Sequence, residues 1–326
     1  MNKLPRRQFL RLAGLAAASS ALPRPALAQA YPSRPVKLVV PFNAGGSTDL
    51  VGRIICQWLT DRLGQSFVVE NKPGGGTNIA VQQVVNSPPD GYTLLYTVST
   101  HAINPSLFKT LPFDFQRDIV SVGGLAELPL VMVANPQVPV TNIAELVAYA
   151  KANPDRVNLA SFGARTISHL AIELLKTSTG IPFVHVPYTG GAPMITDIIS
   201  GRVQAGVDAL PNSLPHIRSG SMRALAVMSR ARTPALPDVP TVAETIPGLE
   251  ATTWNGVGAP KGTPPEIVER LSREIAAGLQ DANLIKRLAD VGGLPIRATA
   301  AEMTELIAKD TEKWAKVVKA AGIEPQ

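Results

Sequence analysis

Between Pro41 and Asp49 the chain reads Pro-Phe-Asn-Ala-Gly-Gly-Ser-Thr-Asp. Glycine lets the backbone come close to a ligand, and free N–H groups at a helix start carry partial positive charge. The chemistry such a loop supports is the holding of a small anion by main chain. Three further segments are of the same kind: Ser161-Phe162-Gly163-Ala164-Arg165-Thr166-Ile167-Ser168-His169, Pro187-Tyr188-Thr189-Gly190-Gly191-Ala192-Pro193 and Ser99-Thr100-His101. Motifs for bond-making chemistry are missing. There is no Gly-x-Ser-x-Gly elbow and no Gly-Lys-Ser/Thr phosphate loop, and Gly74–Gly76 do not extend into Gly-x-Gly-x-x-Gly. The four histidines show no metal spacing, and the single cysteine, Cys56, excludes an internal disulfide and a cysteine metal cluster. Cys56 falls on the apolar face of a helix and reads as a small buried hydrophobe.

The elements that must position these loops follow from the hydrophobic pattern. Val36–Val40 reads as a buried strand, and Leu50, Val51, Ile54, Ile55, Trp58, Leu59 and Leu63 recur at helical spacing. The loop at 41–49 therefore joins a strand to a helix N-terminus. Further strands are expected at 66–70, 92–98, 131–134, 158–162, 183–186, 203–208 and 224–228. Helices are expected at 79–85 with Asn78 as cap, from Asn142 through Lys151, and at 167–176, 194–199 and 214–218. Residues 233–248 are Pro-rich and read as an irregular crossing, and the chain after Trp254 reads as mostly helical. Alternating strands and helices imply an α/β fold with largely parallel sheets, in which ligands bind at the carboxyl ends of strands.

Residues 1–28 read as an export signal, with Arg6-Arg7-Gln8-Phe9-Leu10, an apolar stretch and Ala26-Leu27-Ala28. Paired arginines suggest the twin-arginine route, and a plain secretory signal is the alternative. The whole chain of 326 residues carries a net charge of +6. Setting the signal aside leaves 26 basic against 25 acidic residues, and no basic tract remains for nucleic acid.

Short motifs in order along the chain resemble the substrate-binding receptors of tripartite tricarboxylate transporters, the Bug/TctC family. They are Pro41-Phe42 with Ala44-Gly45-Gly46 and Asp49, Asn71-Lys72-Pro73-Gly74, Pro89-Asp90-Gly91-Tyr92-Thr93, His185-Val186-Pro187-Tyr188 with Gly190, Leu236-Pro237-Asp238-Val239-Pro240-Thr241, and Ala259-Pro260 with Gly262-Thr263-Pro264. The resemblance implies a two-lobed, type II-like periplasmic binding fold: mixed sheets flanked by helices, with a ligand cleft between the lobes. Lobe one would hold residues 31–130 and 250–326, and lobe two residues 131–249. It also implies a small carboxylate ligand, delivery to integral membrane transporter subunits, periplasmic location, no cofactor and a monomer. Carried over onto matching positions, the ligand contacts are Phe42, Ala44, Gly45, Gly46, Ser47 and Asp49 on one lobe. On the other they are Ser161, Gly163, Thr166, Tyr188, Gly191 and Asp208.

Arg165 departs from the family pattern, which has glycine there. It reaches a ligand carboxylate in a bidentate contact, or it is a solvated rim residue. Asp49 and Asp208 are ligand contacts or helix-end and loop acids. His101 and His169 read as structural. The rival classes are a ligand-sensing receptor for a signalling partner and an enzyme acting on a small organic acid.

Overall fold

The computed structural model describes residues 31–153, 156–320 and 322–325. The expected export signal lies outside them. The described chain runs β1 (Val36–Val40), α1 (Ser47–Leu63), β2 (Phe67–Asn71), α2 (Asn78–Val85), β3 (Thr93–Val98), α3 (Thr100–Leu107), α4 (Phe115–Asp118) and β4 (Ile119–Ala134). It continues through α5 (Ile143–Ala152), β5 (Asn158–Ser161), α6 (Ile167–Thr179), β6 (Val184–Pro187), α7 (Gly191–Ile199), β7 (Ala205–Ala209), α8 (Leu210–Arg218) and β8 (Arg223–Val227). It ends with β9 (Thr252–Pro260), α9 (Pro265–Gly278), α10 (Ala282–Asp290), β10 (Leu294–Pro295) and α11 (Ala300–Ala320).

The main path of strand pairing is β2-β1-β3-β9-β4-β7-β5-β6, with β8 and β10 also paired to β4. Outer pairs are parallel, β1 with β2 and β3, and β5 with β6 and β7. The middle is antiparallel, because β9 and β4 run against their neighbours and each other. This corrects the expectation of largely parallel sheets. Strand β9 was not foreseen at all, and of β4 only Val131–Ala134 was. Both carry Gly and Pro inside the strand, at Gly123, Gly124 and Pro129 and at Gly256, Gly258 and Pro260, which weakens any strand signal. Backbone crowding explains these glycines: a Cβ on Gly256 would sit 2.7 Å from the Gly123 carbonyl oxygen.

Strand β4 changes partner along its length. Ile119–Pro129 pairs with β9, and Leu130–Ala134 pairs with β7. One hydrophobic core lies mainly around β5–β8 and helices α5–α8, and includes Met132, Leu159, Leu170 and Ile198; a second includes Val39, Val81, Leu95 and Phe115. Helix α11 gives Met303 and Ile307 to the second core and Trp314 and Val318 to the first.

Local expectations are met where side chains act on their own backbone. Asn142 caps α5 by accepting from the Glu145 amide at 2.9 Å. Asn78 does not cap α2; it is the first helical residue, and its Oδ1 accepts from Asn104 Nδ2. Ser99-Thr100-His101 is not an open loop, since α3 begins at Thr100. Cys56 is buried, and burial pushes its thiol up to about 12, as suits a hydrophobe.

Candidate ligand site at converging helix starts

The strand-to-helix corners meet at one cavity, with about 560 Å³ of atom-free space around it, open solvent included. Helix α1 presents Ser47 and Thr48, α3 presents Thr100, α6 presents Ile167, and α7 presents Gly191, Ala192 and Pro193. None of these four helix starts is capped by a side chain. First-turn N–H groups have no partner inside their own helix, which leaves those of Ser47 and Thr48 on α1, Ile167 on α6, and Gly191 and Ala192 on α7 beside the cavity; Pro193 has none to give. The remaining wall is apolar or neutral, with Phe42, Val98, Leu128, Phe162, Asn212 and Thr253. No charged side chain lines it among the described residues. The arrangement concentrates positive helix-end potential without a fixed cation.

A larger space of about 1180 Å³ adjoins it and shares Phe42, Asn43 and Phe162 as walls. It is lined further by Gly74–Thr77, Gly163, Thr166, Tyr188 and Thr189. The first and third corners touch: Asn43 Nδ2 donates to the Thr189 carbonyl at 2.5 Å. Phe42 meets Phe162 edge to face, with ring centroids 6.0 Å apart.

The sequence-derived candidates divide into wall and scaffold. Phe42, Ala44, Gly46, Ser47 and Gly191 line the smaller cavity, and Phe42, Gly163, Thr166 and Tyr188 the larger. Gly45, Asp49, Ser161, Arg165 and Asp208 line neither. Their atoms are committed elsewhere, and each commitment shapes a corner.

Asp49 is buried, and its Oδ2 accepts from the Gly45 amide and from Arg53 Nε, both at 2.9 Å. Its Oδ1 accepts from Asn71 Nδ2 at 3.1 Å. Burial alone would raise its pKa, but the bonds from Arg53, Gly45 and Asn71 outweigh it and hold the carboxyl below its ordinary value. Asp49 is therefore the loop's internal anchor rather than a wall. Its grip on Gly45 fixes that residue at φ 82°, a conformation glycine takes without strain.

Ser161 is fully buried at the end of β5. Its hydroxyl oxygen stands 3.1 Å from the Gly163 carbonyl oxygen and 2.7 Å from His185 Nε2, and the tautomer of the imidazole sets which of the two groups donates. Burial, then the neighbouring His169, push His185 down to about 4 and keep it neutral near pH 7. His169 stacks on His185 at 4.0 Å and takes the Arg165 amide on Nδ1 at 3.1 Å. Both histidines thus hold the second corner, as the structural reading of His169 required; His101 is likewise buried and accepts from the Val98 amide.

Arg165 has φ 61°, the left-handed value that its glycine-like position demands. Its guanidinium stands 5.3 Å from the centroid of the Phe108 ring. That distance makes it a cation–π partner of Phe108. Tyr188 spends its hydroxyl on Asp197 Oδ2 at 2.8 Å and offers the cavity only its ring. Asp208 is fully buried, with Oδ1 accepting from Asn212 Nδ2 at 3.0 Å and Oδ2 from Ser213 Oγ at 2.8 Å. Burial pushes its carboxyl up to about 6 despite those bonds.

Sequence reasoning missed Asn212 and Thr253 as wall residues, whereas Thr100 lies in one of the candidate segments. Asn212 stands four residues after Asp208 at a helix start, a spacing that signals contact. Thr253 reaches the site on β9, which had no strand signal.

Comparison with known proteins gives the family and the fold. A family model described as tripartite tricarboxylate transporter family receptor matches residues 51–323. The chain belongs to that receptor family. BugT of Bordetella pertussis is 37% identical to it over 97% of this chain and 98% of that protein. Rpa4515 of R. palustris, solved with adipate, superposes with a TM-score of 0.88 at 38% identity, covering 91% of this chain and all of that one. MatC from Rhodopseudomonas palustris, solved with bound malate, gives 0.83 at 31% identity, covering 88% and 100%. This receptor therefore has the fold of the family's periplasmic binding proteins. Among the described residues no helix is long and apolar enough to cross a membrane.

Proposed function

We propose that this receptor captures a small organic acid in the periplasm, closes on it, and presents it to the membrane subunits of a tripartite tricarboxylate-type transporter. The observation that carries the reading is the convergence of uncapped α1, α6 and α7 on one cavity whose wall holds no charged side chain. Hydrogen bonds to a charged group contribute about 1.5–3 kcal/mol each. Four or five, less the cost of association, reach the roughly −8 kcal/mol of a micromolar receptor. The adipate and malate seen with Rpa4515 and MatC support a carboxylate as the ligand.

The two lobes are residues 31–130 with 250–326, and residues 131–249. Partner exchange within β4 and the return through β9 supply the two crossings between them. Ligand binds the wall of one lobe first, and closure adds the helix starts of the other. The chain works without catalysis and as a monomer. Residues 1–28 direct export by the twin-arginine route, with cleavage after about Ala28.

The test is calorimetric titration of the purified mature chain with a panel of mono-, di- and tricarboxylates, while NMR follows the acids. Stoichiometric binding of at least one acid, returned unchanged, is expected. Turnover, or no binding to any acid, overturns the proposal.

A further inference from the structure

Arg165 holds a left-handed backbone, φ 61°, which strains an arginine and not a glycine. A residue kept in such a conformation has to be fixed by its surroundings. Two groups fix this one, and they belong to different walls. At its base, the Arg165 amide donates to His169 Nδ1 at 3.1 Å, and the His169 ring stacks on His185 of β6. The base is therefore part of the β5–α6 corner. At its tip, the guanidinium stands 5.3 Å from the centroid of the Phe108 ring. Phe108 closes α3, where its amide donates to the Asn104 carbonyl at 3.1 Å. Asn104 Nδ2 in turn donates to the Gly76 carbonyl at 2.8 Å and to Asn78 Oδ1 at 2.6 Å. The Phe108 ring lies so close to Gly76 that a Cβ there would stand 3.0 Å from Cζ. Helix α3, Phe108 and the Gly74–Thr77 loop are thus tied together.

The larger space beside the site runs between these two groups. Gly74–Thr77 line it on one side, and Gly163, Ala164 and Thr166 on another. Neither Arg165 nor Phe108 is part of its lining. The Asn43–Thr189 and Phe42–Phe162 contacts join the first corner to the third and the second, and neither involves the Gly74–Thr77 loop. We propose that Arg165 and Phe108 form a strap across the larger space, which holds its two walls together when the cleft is shut and slows the escape of whatever the cleft has taken. The inference rests on the closure proposed above and names a device that governs it. A cation on an aromatic face suits a contact that must break and reform. Arg165 is only partly buried, so its head returns to water on opening and no charge is stranded. Arg165 touches no ligand in this scheme and is a positioning residue: it acts on the balance of open and shut forms.

The test uses two variants that keep the local fold. Arg165→Asn places a residue that tolerates left-handed backbone and removes the charge. Phe108→Leu keeps an apolar group on Gly76 and removes the aromatic face. Pulsed electron resonance measures the distance between spin labels on Asp61→Cys in α1 and Thr177→Cys in α6, both exposed positions, while the buried Cys56 stays unlabelled. In the chain without ligand, each variant is expected to lower the ratio of short to long distances by about threefold or more, at an unchanged melting temperature. The double variant is expected to go no further than the larger single effect. Stopped-flow release of malate or adipate is expected to quicken by a similar factor. An unmoved ratio in either single variant, or a double variant showing the product of both effects, overturns the strap; shortening on addition of malate or adipate then leaves closure standing. Opening in the variants without a response to either acid supports the strap and counts against those acids as ligands. A distance that no variant and neither acid alters overturns strap and closure together.

Discussion

Two buried acids flank the cavity, and their surroundings push their proton affinities in opposite directions. Asp49 sits below its ordinary value, so its contribution to stability is present above the unfolded carboxylate pKa, near 4, and is lost as pH falls through the lower folded value. Asp49→Asn is expected to cost about 1–3 kcal/mol at pH 7, by urea denaturation, with the difference shrinking in strong acid. Asp208 behaves inversely. Its folded pKa of about 6 lies above the ordinary 3.8, so the folded chain holds a proton that the unfolded chain has released between those values. Stability is therefore greatest below pH 4 for this group and declines as pH rises to 6. Two pK units correspond to about 3 kcal/mol. Asp208→Asn is expected to flatten that part of the stability–pH curve. The sequence revealed both acids but not their duties. Asp49's duty depends on Asn71, 22 residues on, which no local pattern joins to it. Ser161 and His185 meet only because β5 and β6 pair side by side, so that contact had no signature along the chain.

At the scale of elements, capture by main chain makes a prediction that side-chain capture does not. Ser47 is the first residue of α1, a position where proline is well tolerated, and Gly46 before it has φ −83° and ψ 172°, which suits a residue preceding proline. Ser47→Pro removes one N–H from the cavity while keeping the helix. The expected result is a loss of ligand affinity of about ten- to a hundredfold, at roughly 1.5–3 kcal/mol per bond to a charged group, with little change in melting temperature. A Ser47→Ala control keeps the N–H and most of the affinity. The corners themselves were legible in the sequence, because each couples an apolar run to Gly, Ser or Thr and then to a helical stripe. The antiparallel centre was not. Strands β4 and β9 lie backbone against backbone, and the glycines this needs erase the alternation by which strands are recognised.

Across the whole molecule, the corners are in contact through Asn43 and Thr189 and through Phe42 and Phe162, which describes a shut arrangement. The closure proposed above requires opening to separate these pairs while β4 and β9, paired from Ile119 to Pro129, and α11, seated in both cores, continue across. On that proposal the motion is a bend of a shared ribbon rather than the swing of a slack linker. Small-angle scattering is expected to show a larger radius of gyration without ligand and contraction on binding, and Asn43→Ala is expected to shift the unliganded chain further open. An unchanged radius at saturation counts against closure. The neutral cavity wall has a consequence of its own. Lysine and arginine clusters attract anions over distances that dissolved electrolyte cuts short, within about 10 Å at 0.1 M. Here no such cluster lines the cavity, and the chain beyond residue 28 is nearly balanced in charge. Solute uptake by this protein should proceed alike in dilute and in brackish surroundings.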